Sequence, residues 1–382
     1  MIPRPRPGET PGNLASPIRL LVNATALRVG GGGTYIVEQI AALATQTDLE
    51  ITVFTTPEIA TRLSSRCGPA VRILARPARG LVRRLLYEQL VLPFVATDYH
   101  VVYQPGGFAM LASPRPQAVT NQNPHHFGPL GPAFARERYP PTLRAWMRLQ
   151  RHYSHVSVRR ADAFVTLSTA FQSSIEEDLG PQDNLHILPS AAPRLPDRSE
   201  AIQDPVVGNG PYALTVAHDY IHKDWDGLIH AFHANPDLPR LVIAGAWRND
   251  ERYLELKRLL ESKPGPPRVT LLGSVGDRHR ISALYGEATC FVAHSFLEVG
   301  PLTPREALSS GVRLVASDIP PHREAAGLCA HYYDPRDPDG LAGAVRAACA
   351  EPAPDPGRVG PGWTWAENAS KLAEILRSIA RV

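Results

Sequence analysis

The chain has 382 residues, which is enough for two domains of roughly 150–200 residues each. Hydrophobic residues make up 43% of it and charged residues 20%, which excludes a disordered or collagen-like chain. Its 40 basic and 37 acidic residues leave a net charge of +3, which argues against a dedicated nucleic-acid-binding protein. Only four of the basic residues are lysines, so a lysine inside a motif stands out from the many arginines.

The cysteines and the N-terminus indicate the compartment. The spacings of the four cysteines match neither a CxxC motif nor a metal site, and we interpret them as free thiols: Cys67, Cys290, Cys329 and Cys349. No apolar run approaches the ~20 residues of a membrane span, and residues 1–17 lack the apolar centre of a signal peptide. The sequence therefore predicts a flexible tail over residues 1–17 and a cytoplasmic protein.

The first half of the chain alternates strand-like and helix-like segments. A short apolar run at residues 18–23, a glycine loop at 28–34 and a helical pattern at 35–43 are typical of the start of a doubly wound α/β domain. Further strands are predicted at residues 51–54, 100–103, 118–120 and 163–167, with helices at 81–92 and 143–160. The proline-rich residues 189–211 indicate a linker, so the first Rossmann-like domain is predicted at residues 18–200.

A second strand–helix series follows the linker and predicts a second Rossmann-like domain at residues 201–362. Its strands are predicted at residues 212–217, 240–244, 269–272, 290–293 and 312–316, and a helix at 341–350. One last helix is predicted at about 365–380, in a C-terminal segment of residues 363–382. Two such domains leave a central cleft between the carboxyl edges of their sheets, where ligands should bind.

The most informative motif contains two glutamates eight residues apart, between two predicted strands of the second domain. Glu298 precedes a short helix, and Glu306 follows the predicted N-cap Thr303 by three residues, which is a capping-box pattern. Free amides in the first turn, including those of Thr303 and Glu306, predict an anion site suited to a pyrophosphate. The alternative is that Glu306 only caps its own helix and that Glu298 is a solvated carboxylate.

This motif resembles that of a known family. The spacing E-x7-E, followed by Ala-Leu-Ser-Ser-Gly-Val and Val-Ala-Ser-Asp, is similar to the donor-binding motif of the family-4 retaining glycosyltransferases, which have the GT-B fold. The resemblance implies that Glu298 contacts the donor sugar and that Glu306 holds the ribose hydroxyls of the nucleotide. It also implies that the amides of Leu302 and Thr303 hold phosphate. The chain departs from the family's usual Phe-Gly-Leu-Pro at Pro301, which has no amide hydrogen to donate.

A second motif, at residues 215–232, resembles the family segment in which an arginine and, five residues later, a lysine hold the diphosphate. Lys223 fits the lysine and is the only lysine in the first 256 residues. The alternative for it is an ordinary surface position. His218 stands where the arginine is usual, and an unperturbed histidine titrates near about 6.5. Because bound diphosphate should raise the pKa of His218, we expect catalytic efficiency to fall as the pH rises through the neutral range.

Weaker matches lie in the loops around the expected nucleotide pocket. Ser274 and Val275 resemble a strand-end loop whose backbone contacts the nucleobase, and Gly245 resembles a glycine turn that lines the same pocket. In the first domain, Gly32 and Gly33 would let the backbone approach the donor phosphate or the acceptor. The alternative is plain turn chemistry, since this loop lacks the full dinucleotide-binding fingerprint.

The loop after the predicted strand at 118–120 carries Asn123, His125 and His126 and should lie across the cleft from Glu298. Many family members place a histidine at this strand end, near the C6 hydroxyl of the sugar. Others carry Gln-Asn there, with an upstream Tyr/Trp-Glu-Gln such as residues 87–89. We therefore predict a sugar-side or acceptor-side role for one of the three residues. The alternative is a loop whose side chains cap the following helix.

Two arginine-rich segments occur at residues 76–84 and 144–160, the first partly and the second wholly on a predicted helix. Basic amphipathic helices bind anionic membranes, so a peripheral membrane contact is one interpretation of these segments. The other interpretation is an ordinary solvated face. The sequence gives no indication of the oligomeric state.

Together the motifs predict an α/β protein of the GT-B type, in which two Rossmann-like domains face a central cleft. We expect a retaining glycosyltransferase that moves a sugar from a nucleotide diphosphate donor to an unidentified acceptor, with catalytic candidates Lys223, Glu298, His125 and His126. No cofactor or metal is expected, because no carboxylate cluster or histidine pair has metal-ligand spacing. The alternatives are another GT-B enzyme, such as a nucleotide-sugar epimerase or a sugar phosphorylase, and a non-catalytic nucleotide-sugar-binding protein.

Overall fold

The computed structural model describes residues 17–27, 30–76, 80–193, 195–196, 210–352 and 363–381. The strands of the first domain are β1 (Ile18–Asn23), β2 (Leu49–Thr55), β3 (Val71–Ala75), β4 (Val101–Pro105), β5 (Gln117–Thr120), β6 (Ala163–Thr166) and β7 (Leu185–Ile187). They form one parallel sheet in the order β3-β2-β1-β4-β5-β6-β7. The strand order reverses between β1 and β4, so a ligand crevice is expected at their carboxyl ends.

The second domain contains a second parallel sheet. Its strands are β8 (Tyr212–Val216), β9 (Arg240–Ala244), β10 (Val269–Gly273), β11 (Cys290–Ala293), β12 (Leu314–Ser317) and β13 (Ala330–Tyr333). Their order is β10-β9-β8-β11-β12-β13, so the reversal lies between β8 and β11. The two sheets confirm the predicted architecture of two doubly wound, Rossmann-like domains.

Helices cover the faces of both sheets. Those of the first domain are α1 (Gly31–Leu43), α2 (Pro57–Cys67), α3 (Leu81–Leu90), α4 (Leu92–Ala96), α5 (Leu130–Arg138), α6 (Pro141–Arg160) and α7 (Thr169–Leu179). Those that follow are α8 (Trp225–Ala234), α9 (Asp250–Glu261), α10 (Arg278–Glu287), α11 (Thr303–Ser309), α12 (Pro320–Ala326), α13 (Pro338–Ala350) and α14 (Trp365–Ile379). None of the helices in these described ranges combines the length and the apolar character that crossing a bilayer requires.

The last helix, α14, returns to the first domain. Leu372 and Leu376 are buried in the same apolar core as Leu20 of β1 and Ile36 of α1. Strands such as β1 and β8 are apolar along most of their length because helices cover both faces of each parallel sheet. This arrangement leaves the carboxyl ends of the strands, and the loops after them, as the places where functional side chains can meet.

Some elements differ from the predicted ones. The sequence pattern does not predict β3 and β13, which lie at sheet edges, where the exposed Arg72 interrupts the apolar run of β3 and three of the four residues of β13 are half-buried. Helix α1 begins at Gly31 rather than at residue 35, so the predicted glycine loop supplies the first turn of the helix. Gly30 precedes it with a φ of 119°, a conformation that favours glycine.

Some predicted features lie outside the described residues. They are residues 1–16 of the predicted tail, residues 77–79 of the first arginine-rich segment, most of the predicted linker, and the proposed boundary at residues 200–201. The stretch before the last helix, residues 353–362, also lies outside them.

Candidate active site

Lys223 and Glu298 form an ion pair at the central strand ends of the second sheet. Lys223 ends a short 3-10 turn, Ile221–Lys223, that follows β8. The next residue, Asp224, has a left-handed φ of 39° and accepts a hydrogen bond from the Gly227 amide, which starts α8. Glu298 lies in the loop from β11 to α11. The structure therefore brings these two catalytic candidates into direct contact.

Two buried histidines and Thr303 line the cavity beside this pair. His294 shares a 2.6 Å hydrogen bond with the Tyr333 hydroxyl, and His322 donates from Nδ1 to the Ser317 carbonyl over 3.0 Å. Burial lowers the pKa of His294 to about 3 and that of His322 to about 4, so both rings are neutral at neutral pH. The sequence pattern did not single out either histidine, although His294 directly follows β11, where functional residues are expected.

Glu306 is buried, and its carboxylate is held by two side chains of α10. The Tyr285 hydroxyl donates to it over 3.0 Å and Arg278 Nη1 over 3.3 Å. Burial raises the pKa of Glu306, while Arg278 acts in the opposite direction. Neither α10 residue was predicted to have a role, because nothing in the local pattern joins them to a glutamate 21 or 28 residues away.

The predicted capping box at Thr303 and Glu306 does not form. Leu302 already has helical backbone angles and is the N-cap of α11, so Thr303 is the first helical residue. The Glu306 amide donates to the Leu302 carbonyl over 3.0 Å and is not free for an anion. The capping-box prediction is therefore wrong, because the helix starts one residue earlier and the carboxylate of Glu306 contacts α10 instead.

His218, just after β8, is enclosed by two glycine positions. The Ala246 amide donates a 2.9 Å hydrogen bond to His218 Nδ1, so a neutral ring carries its proton on Nε2. A Cβ at Gly30 would lie 2.5 Å from that Nε2, so the backbone of the first domain contacts this ring of the second. A Cβ at Gly245 would lie 1.7 Å from the Ala217 carbonyl oxygen, which explains the requirement for glycine there.

The first turn of α1 contains Gly32 and Gly33 and faces the loop after β5. A Cβ at Gly32 would lie 3.2 Å from Gln122 Oε1, while Gly33 is buried. Within the described part of the chain, Gln122 Nε2 is buried without a hydrogen-bond partner. Because buried donors are nearly always paired, Gln122 is a candidate for a polar contact with a ligand. It belongs to the Gln-Asn pair noted in the sequence.

His125 lies next to the loop that carries Lys223. Its ring centroid is 5.5 Å from that of His222, the residue before Lys223, and its Nε2 is 3.1 Å from the Tyr139 hydroxyl. Burial lowers the pKa of His125 to about 4. Asn123 accepts a 3.0 Å hydrogen bond from the His125 amide through its side-chain oxygen, so it stabilises this loop. The structure thus places His125 beside the residue that precedes Lys223.

His126 instead points into the first domain. Its Nδ1 is 3.0 Å from Asn121 Nδ2 and 2.7 Å from Ser154 Oγ, and its ring stacks on Phe108. Burial lowers its pKa to about 3. All three of these partners belong to the first domain, whereas the ring of His125 contacts His222 of the second domain. The side chains of these two successive residues therefore point in different directions. The structure therefore does not bring His126 to the pair formed by Lys223 and Glu298.

The remaining predicted donor contacts occupy two loops of the second domain. Ser274 is exposed and Val275 half-buried, between β10 and α10. Pro301 is buried, Leu302 packs partly against the apolar core of the first domain, and Thr303 lines the cavity. In the described ranges, no group of three or more His, Cys, Asp or Glu is arranged to hold a metal ion.

The loop that carries Glu298 is fixed to the first domain. Ser168 Oγ donates a 2.5 Å hydrogen bond to the Val299 carbonyl, and a Cβ at Gly300 would lie 2.6 Å from Leu167 Cβ. Glu324 of α12 accepts hydrogen bonds of 2.9 and 3.1 Å from two amides at the start of α7, where a carboxylate also favours the helix dipole. These contacts join residues more than 130 positions apart, so no local pattern predicts them.

Two family models match adjacent parts of the chain. The model described as Glycosyltransferase Family 4 matches residues 29–192, and the model described as Glycosyl transferases group 1 matches residues 182–358. Together they include both sheets apart from β1, and the whole of the site described above. No curated protein matches the chain in sequence.

Several solved structures share the architecture of this one. HepE from Anabaena, in complex with UDP-glucose, is 15% identical, with a TM-score of 0.64 over 95% of this chain and 98% of that one. Sucrose-phosphate synthase from Thermosynechococcus elongatus is 17% identical, with a TM-score of 0.64 over 95% and 94%. WaaG, a glycosyltransferase involved in lipopolysaccharide biosynthesis, is 15% identical, with a TM-score of 0.62 over 94% and 95%. The two family models and this shared fold establish that the chain belongs to the family-4 glycosyltransferases of the GT-B fold.

Proposed function

We propose that the chain is a retaining glycosyltransferase that transfers a sugar from a nucleoside diphosphate donor to an acceptor hydroxyl, in the cytoplasm and without a metal or cofactor. The observation that carries this proposal is the contact between Lys223 and Glu298 where the strand order of the second sheet reverses. An ammonium group at this point is suited to the negative charge that develops on a departing diphosphate. Glu298 holds the ammonium in the cavity and is suited to the hydroxyls of the donor sugar.

The nucleotide end of the donor fits Glu306. An ionised carboxylate accepts hydrogen bonds from two neighbouring hydroxyl groups, as the ribose offers, and Tyr285 and Arg278 leave further lone pairs available. His218 Nε2 and Lys223 would then lie on the diphosphate side. Because the HepE structure contains UDP-glucose, uridine diphosphate sugars are the first donors to test.

In the proposed step, the acceptor oxygen forms a bond to the anomeric carbon on the face from which the diphosphate leaves. The bond between the anomeric carbon and the diphosphate oxygen breaks, and both electrons stay with the diphosphate. The departing phosphate oxygen takes the proton of the acceptor hydroxyl, so the step requires no protein base. Lys223 stabilises the charge that the diphosphate gains in the transition state.

The test begins with a thermal-shift panel of nucleoside diphosphate sugars, because ligand at 100 times its Kd adds about 2.7 kcal/mol of stability. With the donor identified, we expect release of nucleoside diphosphate that EDTA does not inhibit, and a product whose anomeric configuration, measured by NMR, is retained. Lys223→Ala should lower the rate of release at least about 100-fold. The matched control is Lys257→Ala, at an exposed lysine of α9 in the same domain, and should leave it unchanged.

Other outcomes identify the alternatives. Donor binding with neither transfer nor hydrolysis would indicate a non-catalytic binding protein. Conversion of the donor sugar without any acceptor would indicate an epimerase, and formation of a sugar phosphate from a glycan and phosphate would indicate a phosphorylase. An inverted product would contradict retention, and inhibition by EDTA would contradict independence of a metal.

A further inference from the structure

Helix α3 carries an apolar stripe on its outer side. Val82, Leu86 and Leu90 recur every four residues, and Phe94 continues the stripe on α4. These four side chains are between 53% and 77% exposed. A surface helix normally turns such a stripe toward its own core, so this stripe is available to a partner outside the chain.

The only acidic residue of α3, Glu88, points the other way. It is fully buried, and its carboxylate accepts hydrogen bonds from Asn23 at the end of β1 and from Thr25, each over 3.3 Å. The helix therefore turns its acid toward the crevice at the strand ends and its apolar residues toward solvent. This is the reverse of an ordinary amphipathic surface helix.

Helix α6 extends the same surface. Gln89 of α3 and Tyr153 of α6 donate hydrogen bonds of 3.1 and 3.3 Å to the same Ala109 carbonyl, so the two helices flank one loop. Leu149, one turn before Tyr153, lies on this side of α6 and is exposed, as is Leu111 in the loop. The α3–α6 face is defined by its six exposed apolar residues: Val82, Leu86, Leu90, Phe94, Leu111 and Leu149.

The exposed charges that α3 and α6 carry beside the α3–α6 face are positive. Arg83 on α3 and Arg148 on α6 are exposed next to its apolar residues. Helix α6 includes no acidic residue and α3 includes only the buried Glu88, while one exposed acid, Asp98, follows α4. A bilayer with anionic headgroups matches both properties, because its acyl region takes the apolar side chains and its headgroups take the arginines.

We propose that the α3–α6 face docks the protein on an anionic lipid bilayer. The proposal rests on exposure and charge, and it does not depend on the proposed transferase activity. Because Glu88, on the inner side of α3, contacts the end of β1, docking would set the bilayer beside the first-domain wall of the cleft.

The test is co-sedimentation of the full chain with vesicles of phosphatidylcholine, alone or mixed with phosphatidylglycerol. We expect binding to the mixed vesicles only, weakened by salt. Leu86→Ser/Phe94→Ser should lower the partition coefficient at least about tenfold, and Arg83→Ser/Arg148→Ser should remove the salt-sensitive part. The matched controls, Leu328→Ser and Arg258→Ser at exposed positions of the second domain, should bind like the unchanged protein.

The variants should unfold at the same temperature and release nucleoside diphosphate at the same rate, since none of these residues lies in the donor site. Equal binding to neutral vesicles, or none to either kind, would overturn the proposal. So would a concentration-dependent dimer that dissociates in Leu86→Ser/Phe94→Ser, because the occupant would then be a second copy. Vesicle binding by a chain without transferase activity would support docking and contradict only the proposed function.

Discussion

The Tyr285 hydroxyl donates a 3.0 Å hydrogen bond to Oε2 of Glu306, while Arg278 contacts Oε1 of the same carboxylate. Tyr285 is fully buried, so its position is fixed by the core of the second domain. The two contacts orient the carboxylate before any ligand binds, which lowers the entropy lost on binding. Helix α10 therefore takes part in the candidate nucleotide site through its side chains.

Tyr285→Phe should weaken nucleoside diphosphate binding by about tenfold, because a hydrogen bond to a charged group contributes about 1.5 kcal/mol. Calorimetry measures the change directly. Tyr99→Phe, at a half-buried tyrosine of the first domain, is the control and should bind normally. Unchanged affinity in Tyr285→Phe would mean that Arg278 alone orients Glu306.

Lys223→Ala should lower kcat at least about 100-fold and the affinity for nucleoside diphosphate less than about tenfold, because the charge on the diphosphate grows toward the transition state. Single-turnover kinetics and calorimetry give the two quantities separately. Lys257→Ala controls for the loss of a lysine from the same domain. Equal losses in binding and turnover would mean that Lys223 acts in the ground state alone.

Burial raises the pKa of Glu306, so its carboxylate takes up a proton at a higher pH than an ordinary glutamate does. The protonated carboxyl carries an O–H donor on one oxygen and accepts hydrogen bonds less well than the ionised form. Nucleoside diphosphate affinity should therefore decrease as the pH falls through this raised pKa. Glu306→Gln should bind nucleoside diphosphate more weakly, and its affinity should depend less on pH. Because the ligand itself titrates equally in both experiments, the difference between the two proteins reports Glu306. Parallel profiles would contradict a role for ionised Glu306.

The structure changes the expected pH dependence at His218. Burial, together with the charge of Lys223, lowers the pKa of His218 in the free protein, and the Ala246 amide favours its neutral ring. Because kcat/KM reports the groups of the free enzyme, it should not decrease through loss of charge on His218 between about pH 6.5 and 8. His218→Arg should have the same profile over this range. A decrease in the unchanged protein that is absent from His218→Arg would support the sequence-based expectation instead.

His126 should make the fold sensitive to acid. Its folded-state pKa of about 3 lies below the value of about 6.5 in an unfolded chain, so the folded state binds fewer protons. The stability that this group contributes is complete above about pH 6.5 and decreases as the pH falls toward 3, by up to about 1.4 kcal/mol per pH unit. Urea unfolding at several pH values measures how the free energy of unfolding changes with pH. This dependence should be weaker in His126→Gln than in the unchanged protein, and the same as in the unchanged protein in His152→Gln, a control at an exposed position.

The order of strands and helices was predictable because most strands are buried on both faces and therefore form continuous apolar runs. Strands β3 and β13 lie at the edges of their sheets and include polar residues that are not fully buried, so they do not form continuous apolar runs. The start of α1 was misplaced because glycines indicate a loop locally, whereas here they form the first turn of the helix.

That Lys223 and Glu298 lie in the same site could be predicted from the sequence, because each belongs to a motif with its own spacing. The prediction of a capping box at Glu306 was wrong for a different reason. A glutamate three residues after a threonine is compatible with a helix cap and with a binding site, and here the contact with Tyr285 of α10 holds the carboxylate away from the cap. His125 and His126 are neighbours in the chain, but the turn of their loop directs His126 into the interior of the first domain and His125 toward His222 at the cleft.

Gly300 lies so close to Leu167 that a single added carbon would force the loop that carries Glu298, or the backbone at Leu167, to shift. The absence of a side chain at position 300 therefore lets this loop pack directly on the first domain. An alanine or serine at position 300 would hold the Glu298 loop farther from Leu167. The distance between the Glu298 loop and the first domain thus depends on the size of the side chain at one position.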